Sequence, residues 1–434
     1  MKKNYILVLL AFSAFSIQSQ TITTIAGTGS SGFSGDGGKA TEAKLNLPFN
    51  IAFDKEDNIY IADTYNNSIR KIESKSGIIS TVVGTADKKV KSELKTPTGI
   101  TFDNFNNLYI ADLAHLRIRK VDFKNNSSIT LVGEKSETEQ PNINASLGGP
   151  FNVVFDKTGN LYISTNEDSK VSKVDFFTGK VTVIAGTGTS GFSGDGGKAS
   201  EAQLTNPTGL ALDGKGNLYI SDTGNERVRK VNLNSGIIHT IAGSGTNGFS
   251  GDGELAKNST LSNPLGLTAD RNGDLYIVDR GNNRVRKIDF STGIIATIAG
   301  TGREGFSGDG ELATNAKLAN PTGLAFNAKG DLYIVDRGNN RIRKISGLPI
   351  ENREEISLTE SILIYPNPST DKLTIKLKNN TELNSALLFD ITGKQVNAQL
   401  INNTTINVSK LPRGVYTLKL NTSRGDFQQK VVLE

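Results

Sequence analysis

A Tyr-Ile dipeptide recurs six times in this chain, and the repetition constrains the fold more than any other feature of the sequence. The six tyrosines are Tyr60, Tyr109, Tyr162, Tyr219, Tyr276 and Tyr333. A structural unit that is copied at a long and nearly regular period packs against its own copies along or around an axis. The sequence therefore predicts a repeat architecture before the chemistry of any side chain is considered.

Each repeat contains four short segments, named a to d here, that are rich in β-branched residues. In the repeat around Tyr219 they cover residues 207–213, 218–222, 227–231 and 237–242, with Gly, Asn and Asp between them. This pattern predicts an antiparallel four-stranded meander. Six meanders arranged radially form a six-bladed β-propeller.

The two ends of the repeat region indicate how such a ring would close. The sixth repeat stops after its segment c, whereas a lone segment d, residues 21–26, precedes the first repeat. We expect the N-terminal strand to complete the last blade, because this pairing hides two sheet edges. The predicted fold class is therefore all-β, a propeller closed by its N-terminal strand and followed by a small Ig-like β-sandwich.

The sequence outside the repeats predicts an exported protein. Lys2 and Lys3 precede an apolar run over residues 5–17, so we interpret residues 1–19 as a signal peptide cleaved after Ser19. The predicted propeller covers 20–346, a polar linker covers 347–361, and the sandwich covers 362–434. The chain has no Cys, which excludes disulfides, a lipoprotein anchor and a cysteine nucleophile.

The net charge of +5 gives no support to nucleic-acid binding once it is divided along the chain. Residues 1–19 carry +2, residues 347–361 carry −3, and residues 362–434 carry +4. The remaining +2 is spread over the large repeat region, with both signs interleaved. A nucleic-acid partner is therefore not expected, and neither is a transmembrane segment in the mature chain.

The repeats resemble the NHL family in the residue pattern of their strands. The pattern reads PTGLALDGKGNLYISDTGNERVRKV at 207–231 and PLGLTADRNGDLYIVDRGNNRVRKI at 264–288. The resemblance covers residues 21–346. It implies a six-bladed propeller that usually serves as an interaction platform and is occasionally an enzyme.

The last segment resembles the C-terminal sorting domain of proteins exported by the type IX secretion system of Gram-negative bacteria. The matching residues are Tyr365, Pro366, Asn367, Pro368, Gly393, Gly414 and Tyr416. The resemblance implies that the secretion machinery is a partner. It also implies passage across the outer membrane, with release or attachment at the cell surface.

Long insertions between segments d and a distinguish one face of the predicted propeller. Four of them read Gly-Phe-Ser-Gly-Asp-Gly, at 32–37, 191–196, 248–253 and 305–310, whereas the repeats after Gly84 and Gly133 lack this motif. The b-to-c connections lie on the same face, which we call the insertion face; the a-to-b and c-to-d turns form the turn face. Loops on a rigid scaffold commonly carry binding residues, so the insertion face is the predicted functional face.

Two kinds of charged residue on this face are candidates for binding. The loop aspartates could hold a cation, or the backbone amides of these loops could hold an anion. The aspartates could instead form local Asx turns while the loop phenylalanines anchor the loop. A set of arginines could instead bind an acidic polysaccharide or an anionic protein surface. The aspartates are Asp36, Asp195, Asp252 and Asp309, and the arginines are Arg117, Arg227, Arg284 and Arg341.

A third set of residues predicts structural ion pairs between segments b and c. In five repeats an aspartate precedes an arginine by seven residues, whereas the third repeat has Thr165 and Ser172 at these places. Joint presence and joint loss predict that the two charges pair across the hairpin. The pairs are Asp63 with Arg70, Asp112 with Arg119, Asp222 with Arg229, Asp279 with Arg286, and Asp336 with Arg343.

The sequence gives little sign of catalysis. Its only histidines, His115 and His239, fall at different places in their repeats, so we assign no catalytic residue, metal ligand or cofactor. The expected function is a secreted module that binds a protein or glycan. The alternatives are a hydrolase or lyase with a carboxylate-bound divalent cation in the central funnel, and a spacer without a ligand.

Overall fold

The computed structural model describes residues 20–84, 90–134, 143–176, 178–348, 362–366, 368–377, 382–390, 394–402, 404–422 and 425–434. The predicted signal peptide, most of the linker, and Asn367 and Gly393 of the sorting motif lie outside these residues. The chain divides into two compact units, Met1–Ile350 and Glu351–Glu434. Within the described residues, the short helices lack the length and apolar character needed to cross a membrane.

The described part of the first unit contains six sheets, numbered here in chain order. Sheets 1 to 5 each have a meander of four consecutive strands, whereas sheet 6 has three consecutive strands and a fourth from the start of the unit. Sheet 1 contains β2 (Ile51–Phe53), β3 (Ile59–Asp63), β4 (Ser68–Ile72), β5 (Ile79–Gly84) and β6 (Val90–Lys91). Sheet 2 contains β7 (Pro97–Phe102), β8 (Leu108–Asp112), β9 (Arg117–Asp122), β10 (Ser127–Gly133) and β11 (Ile143–Asn144). Sheet 3 contains β12 (Pro150–Phe155), β13 (Leu161–Thr165), β14 (Lys170–Asp175) and β15 (Lys180–Ala185).

The next three sheets repeat this order. Sheet 4 contains β16 (Pro207–Leu212), β17 (Asn217–Asp222), β18 (Arg227–Asn232) and β19 (Ile238–Ala242). Sheet 5 contains β20 (Glu254–Leu255), β21 (Pro264–Ala269), β22 (Leu275–Asp279), β23 (Arg284–Asp289) and β24 (Ile294–Ala299). Sheet 6 contains β25 (Leu324–Phe326), β26 (Leu332–Asp336), β27 (Arg341–Ser346) and, as its outer strand, β1 (Thr21–Ala26).

Short 3₁₀ helices occur in two places in the repeat. One group begins the b-to-c connections of every sheet except sheet 3: η2 (Thr64–Asn66), η3 (Leu113–His115), η5 (Thr223–Asn225), η7 (Arg280–Asn282) and η9 (Arg337–Asn339). The other group lies in the insertions: η1 (Ala40–Glu42), η4 (Ala199–Glu201), η6 (Ala256–Asn258) and η8 (Ala313–Asn315).

The strand formed by segment a, called the first strand of each sheet here, contacts the first strand of the next sheet, and the first strands of sheets 6 and 1 are also in contact. Contacts join β2 to β7, β7 to β12, β12 to β16, β16 to β21, β21 to β25, and β25 to β2. The Thr322 hydroxyl, just before β25, donates to the Phe49 carbonyl just before β2 at 2.7 Å. The glycine of each Pro-x-Gly segment allows this approach, since a Cβ on Gly209 would collide with the Leu265 carbonyl of the next sheet.

The N-terminal strand β1 pairs antiparallel with β27, although their sequence positions are at opposite ends of the unit. Ile22 lies opposite Ile345, and Thr21 lies opposite Ser346. The Ile22 side chain is completely buried and joins a core cluster with Leu332 and Ile345. Sheet 6 therefore has four strands because the chain supplies its outer strand from the other end.

The sequence predicted the four insertions on one face of the repeat region. Each also runs along the outer strand of the sheet that follows it. In sheet 4 the Gly196 amide donates to the Ile238 carbonyl at 2.8 Å, and the Ile238 amide donates to the Gly197 carbonyl at 3.1 Å. The outer strands of sheets 1, 4, 5 and 6 are thus paired with an insertion, which protects edges that would otherwise expose free amides.

The second unit contains two four-stranded sheets that share one apolar core. One has the order β28 (Ile362–Tyr365), β29 (Lys372–Leu377), β33 (Thr405–Asn407), β32 (Gln399–Asn402). The other has the order β31 (Gln395–Val396), β30 (Leu383–Phe389), β34 (Gly414–Thr422), β35 (Gly425–Leu433). Leu373 and Ile406 of the first sheet pack in one cluster with Leu418 and Val431 of the second. Tyr416, a sorting-motif residue, is 5% exposed, and its hydroxyl donates to the Pro412 carbonyl at 2.7 Å.

Candidate functional site

The loop aspartates of the insertions bind the arginines of segment c. In sheet 4, Arg229 Nη2 lies 2.7 Å from Asp195 Oδ1, while Nη1 lies 3.2 Å from Asp222 Oδ2. The guanidinium therefore joins a partly exposed loop carboxylate to a fully buried strand carboxylate. The same arrangement is Asp36–Arg70–Asp63, Asp252–Arg286–Asp279 and Asp309–Arg343–Asp336. These loop aspartates therefore have ion-pair partners on the sheet.

The loop phenylalanines pack between two arginines of the same network. The guanidinium carbon of Arg227 lies 3.8 Å from the centre of the Phe192 ring, and that of Arg229 lies 4.9 Å from it. Phe249 and Phe306 have matching pairs of arginines, and Phe33 has Arg70. These cation–π contacts anchor the insertions to the sheets.

The arginines predicted to bind an acidic ligand donate to main-chain oxygens of the insertions. Arg227 donates to the carbonyls of Asn225 at 2.9 Å and Ser244 at 2.6 Å. Arg284 and Arg341 have the equivalent acceptors. Arg227, Arg284 and Arg341 are therefore engaged in holding the insertions in place, whereas Arg117 of sheet 2 donates to Asp112 and to the Glu93 carbonyl.

Sheet 2 does not contain the predicted pair between Asp112 and Arg119. Asp112 Oδ2 instead lies 2.8 Å from Arg117 Nε and 2.9 Å from His115 Nδ1. Arg119 donates to the hydroxyls of Ser128 and Thr130, at 2.6 and 2.9 Å. Unlike sheets 1, 4, 5 and 6, this sheet has no Gly-Phe-Ser-Gly-Asp-Gly insertion.

Sheet 3 has lost every part of this network together. Thr165 and Ser172 replace the aspartate and the arginine, and Val183 replaces a threonine that occurs in the other five sheets. Val183 is 37% exposed, whereas the corresponding Thr81 of sheet 1 is 7% exposed and donates to Asp36. The third repeat therefore departs from the others throughout its outer half.

The buried aspartate of sheet 6 predicts a pH-dependent contribution to stability. Burial raises the pKa of Asp336 to about 6, although hydrogen bonds from Ala319, Asn339 and Arg343 act to lower it. Because this pKa is raised in the folded state, the stabilising contribution is complete below about pH 4 and is lost as the pH rises through about 6. We expect the difference in free energy of unfolding between the wild type and Asp336→Asn to decrease by up to about 3 kcal/mol as the pH rises from about 4 to above 6. Urea titrations of both proteins across these pH values test this, and a constant difference would contradict it.

A cavity of about 380 Å³ is lined by the first strands of all six sheets. Its polar lining groups are the side chains of Asn50, Thr101, Asn152 and Thr268, and the rest of the lining is apolar. Divalent cations such as Ca²⁺ and Mg²⁺ are usually held by carboxylates. The donor groups of this cavity therefore do not fit the carboxylate-bound cation of the alternative function.

A larger recess, of about 710 Å³, lies on the turn face and is lined by residues of sheets 3, 4 and 5. At four sheet junctions the repeat tyrosine packs against a phenylalanine at the end of the next first strand. These pairs are Tyr60 with Phe102, Tyr109 with Phe155, Tyr276 with Phe326 and Tyr333 with Phe53, with ring centres 4.6–4.9 Å apart. The equivalent positions are Leu212 in sheet 4 and Ala269 in sheet 5, and both line the recess. The recess exists where two smaller side chains replace phenylalanine.

The carboxylates that line the recess are occupied by their own turns. Asp156 accepts hydrogen bonds from the amides of Thr158 and Asn160 and from the Tyr162 hydroxyl at 3.1 Å. Burial acts to raise the pKa of Asp156, but the bonds from Asn160 and Thr158 outweigh it and hold the pKa below its usual value. Asp213 accepts the corresponding bonds from Lys215, Asn217 and Tyr219.

Two lysines of the recess are available to a ligand. Among the described residues, neither Lys157 nor Lys173 has a hydrogen-bond or ion-pair partner, and both line the recess. Counterparts of each lysine in other sheets are engaged: Lys55, at the position of Lys157, donates to the Asn104 carbonyl at 2.5 Å, and Lys287, at the position of Lys173, lies 2.9 Å from Asp274. The recess thus combines free ammonium groups, the Tyr162 ring and an apolar wall.

The recess lies away from the long loops in which the sequence predicted binding residues. The signal was present in a comparison of the repeats. The strand formed by segment a ends at Phe53, Phe102, Phe155 and Phe326 in four repeats, but at Leu212 and Ala269 in the other two. What could not be read from one repeat is that these two positions adjoin the same space.

Family comparisons match both parts of the chain. Residues 363–434 match the secretion system C-terminal sorting domain. Residues 23–93 and 149–250 match the teneurin NHL domain, and residues 261–288 and 318–345 match the NHL repeat.

Relatives share the repeat region at low identity. The Arabidopsis thaliana protein SUPPRESSOR OF QUENCHING 1, chloroplastic, is 26% identical over 77% of this chain, and NHL repeat-containing protein 2 of Gallus gallus is 27% identical over 75%. The matches span 28% and 43% of those proteins, so this chain corresponds to less than half the length of either relative. A solved structure described as an auxiliary nutrient binding protein from Bacteroides ovatus is 17% identical, with a TM-score of 0.58 over 76% of this chain and 77% of that one. This chain therefore carries NHL repeats followed by a secretion system C-terminal sorting domain, which directs export through the type IX system to the cell surface or extracellular space.

Proposed function

We propose that the six sheets are the blades of a closed six-bladed propeller, residues 20–346, and that residues 362–434 form an Ig-like sandwich after a linker at 347–361. The pairing of β1 with β27 and the contact of β25 with β2 support closure. The shared core of the two C-terminal sheets supports the sandwich.

Closure by β1 makes its buried residue a sensitive position. Ile22→Ala should lower the free energy of unfolding by about 2–5 kcal/mol, because it leaves a cavity in the core of sheet 6. The neighbouring Thr23→Ala, at a half-buried site, should change it by about 0.5 kcal/mol or less. Equal, small effects in urea unfolding would contradict closure by this strand.

We infer that the exported propeller is a binding module for a glycan that carries acidic sugars, and that the turn-face recess is its binding site. The recess carries this inference, since it breaks the sixfold repetition and offers two lysines without partners. Its apolar wall, which includes Leu212 and Leu233, suits the face of a sugar ring, and Asn234 adds an amide for hydroxyl groups. The volume of about 710 Å³ is in the range of small-molecule sites.

Two other observations bear on the choice of function. The nutrient-binding description of the Bacteroides ovatus structure agrees with a ligand-binding role, although the likeness is one of fold. The hydrolase or lyase alternative receives less support, because the described lining of the axial cavity lacks carboxylates. A protein ligand remains the competing class, and the binding experiment separates it from a glycan.

Isothermal titration with oligosaccharides tests this function directly. Oligogalacturonate should bind the full-length mature chain, whereas neutral dextran oligosaccharides of equal length should not. Lys157→Met with Lys173→Met should weaken binding at least tenfold, about 1.4 kcal/mol. Lys317→Met, which removes an exposed charge from an insertion, should leave binding unchanged. Equal affinity of the double variant and the wild type, or failure of every acidic glycan to bind, would contradict the proposal.

A further inference from the structure

Two arginines begin the b-to-c connections of sheets 5 and 6 on the insertion face. Arg280 directly follows the buried Asp279, and Arg337 directly follows Asp336. At the same position of sheet 4, the Thr223 hydroxyl donates to the Pro264 carbonyl of the next sheet at 2.7 Å. Sheets 5 and 6 therefore carry a long cationic side chain at the position where sheet 4 carries a small side chain with a hydrogen-bonded hydroxyl.

Neither of these guanidinium groups has a polar partner among the described residues. The Nε atoms of Arg280 and Arg337 are shielded from solvent and make no hydrogen bond there. The Nη atoms of the insertion-network arginines, such as Arg227 and Arg229, donate instead to carboxylates or carbonyls, although the Nε of Arg229 is also without a hydrogen bond. A buried donor without an acceptor costs about 1–3 kcal/mol, and more when it is charged.

The two charges also act on each other. The pKa of Arg280 is lowered by burial and by the positive charge of Arg337. The guanidinium carbon of Arg337 lies 5.8 Å from the centre of the Tyr65 ring, which belongs to sheet 1 and is 59% exposed. Three consecutive sheets, 5, 6 and 1, thus contribute two like charges and an exposed aromatic ring to one region.

We propose that Arg280 and Arg337 form a binding site for an oxyanion, a sulfate, phosphate or carboxylate group. Each planar guanidinium presents several donors that match the oxygens of such a group. A bound oxyanion would supply acceptors for the unsatisfied donors and would remove the repulsion between the charges. Tyr65 would flank a ligand that carries this group. The site lies on the face opposite the recess and does not depend on the function proposed for the recess.

Thermal unfolding of the mature chain with added sodium sulfate, sodium phosphate or sodium acetate tests this site. Each is compared with sodium chloride at equal ionic strength. A bound anion stabilises the folded state by mass action, so at least one of the three should raise the unfolding midpoint of the wild type. Arg280→Met with Arg337→Met should lose this extra increase. The general effect of sulfate on protein stability is common to both proteins and cancels in the comparison.

Three further variants keep the result interpretable. Arg280→Lys with Arg337→Lys retains the charges but not the planar guanidinium groups, so anions should raise its unfolding midpoint less than that of the wild type. This variant gives the test if the methionine variant fails to fold. Arg303→Met removes an exposed insertion arginine, and Lys157→Met with Lys173→Met alters only the recess, so both should behave as the wild type. An anion effect that is the same in the wild type and both arginine-pair variants, or that is absent for all three anions, would overturn the proposal.

Discussion

Arg229→Met should lower the free energy of unfolding of the repeat unit by about 3–5 kcal/mol. The Arg229 side chain is completely buried between Asp222, which is also completely buried, and Asp195 of the insertion. Removing the arginine leaves the Asp222 carboxylate enclosed without its counter-charge, and it also detaches the insertion from the sheet. Urea unfolding monitored by tyrosine fluorescence measures the change.

Sheet 3 supplies a matched control for this experiment. It has Thr165 and Ser172 in place of the aspartate and the arginine, and its strands still pair along their length. The double variant Asp222→Thr with Arg229→Ser copies this natural pair and leaves no buried strand charge. We expect it to be less destabilised than Arg229→Ser alone, because an unpaired buried charge costs more than a neutral replacement. Greater destabilisation in the double variant would show that the pair does not act as an ion pair.

Leu212→Phe with Ala269→Phe should abolish oligogalacturonate binding at the recess, with at least a tenfold loss of affinity. The substitutions restore the aromatic contacts that four other sheet junctions make with their tyrosine. The new rings should occupy the space beside Tyr162 and Tyr219 that would receive the sugar. Because they fill an existing recess, we expect the unfolding midpoint to stay equal to or above that of the wild type.

Leu312→Phe provides the control, since it adds the same ring at an exposed site on an insertion. It should leave both affinity and stability unchanged. Isothermal titration and thermal unfolding of the three proteins give the required measurements. Full affinity in the filled variant would place the ligand outside the recess. A large loss of stability would instead show overpacking, and the lysine pair variant then decides the question.

The charged residues show how far comparison of repeats leads and where it stops. The spacing of seven residues predicted partners for Asp63, Asp222, Asp279 and Asp336, and the ion pairs occur at 3.2–3.5 Å. The same spacing failed for Asp112, whose carboxylate contacts Arg117. Spacing within a repeat specifies which residues can face each other across a hairpin. The partner that forms also depends on the loop packed above it.

The insertions also show which features the sequence predicted and which required the folded structure. Their repeated motif marked them as important, and the sequence placed their aspartates and arginines on one face as binding candidates. In the fold, Asp195 meets Arg229, and Phe192 packs between Arg227 and Arg229. These contacts join residues more than thirty positions apart, so no local pattern specifies them.

The sequence by itself determined the all-β repeat architecture, the candidate closing strand and the sorting domain, because each is written in local periodicity or in short recurring motifs. The tertiary structure decided where space remains between the sheets. The recess depends on Leu212 and Ala269 being smaller than phenylalanine at adjacent junctions, and the oxyanion site depends on Arg280 and Arg337 lying within electrostatic reach in neighbouring sheets. Packing between sheets is non-local and sensitive to side-chain volume and charge, and only the folded chain brings these residues together.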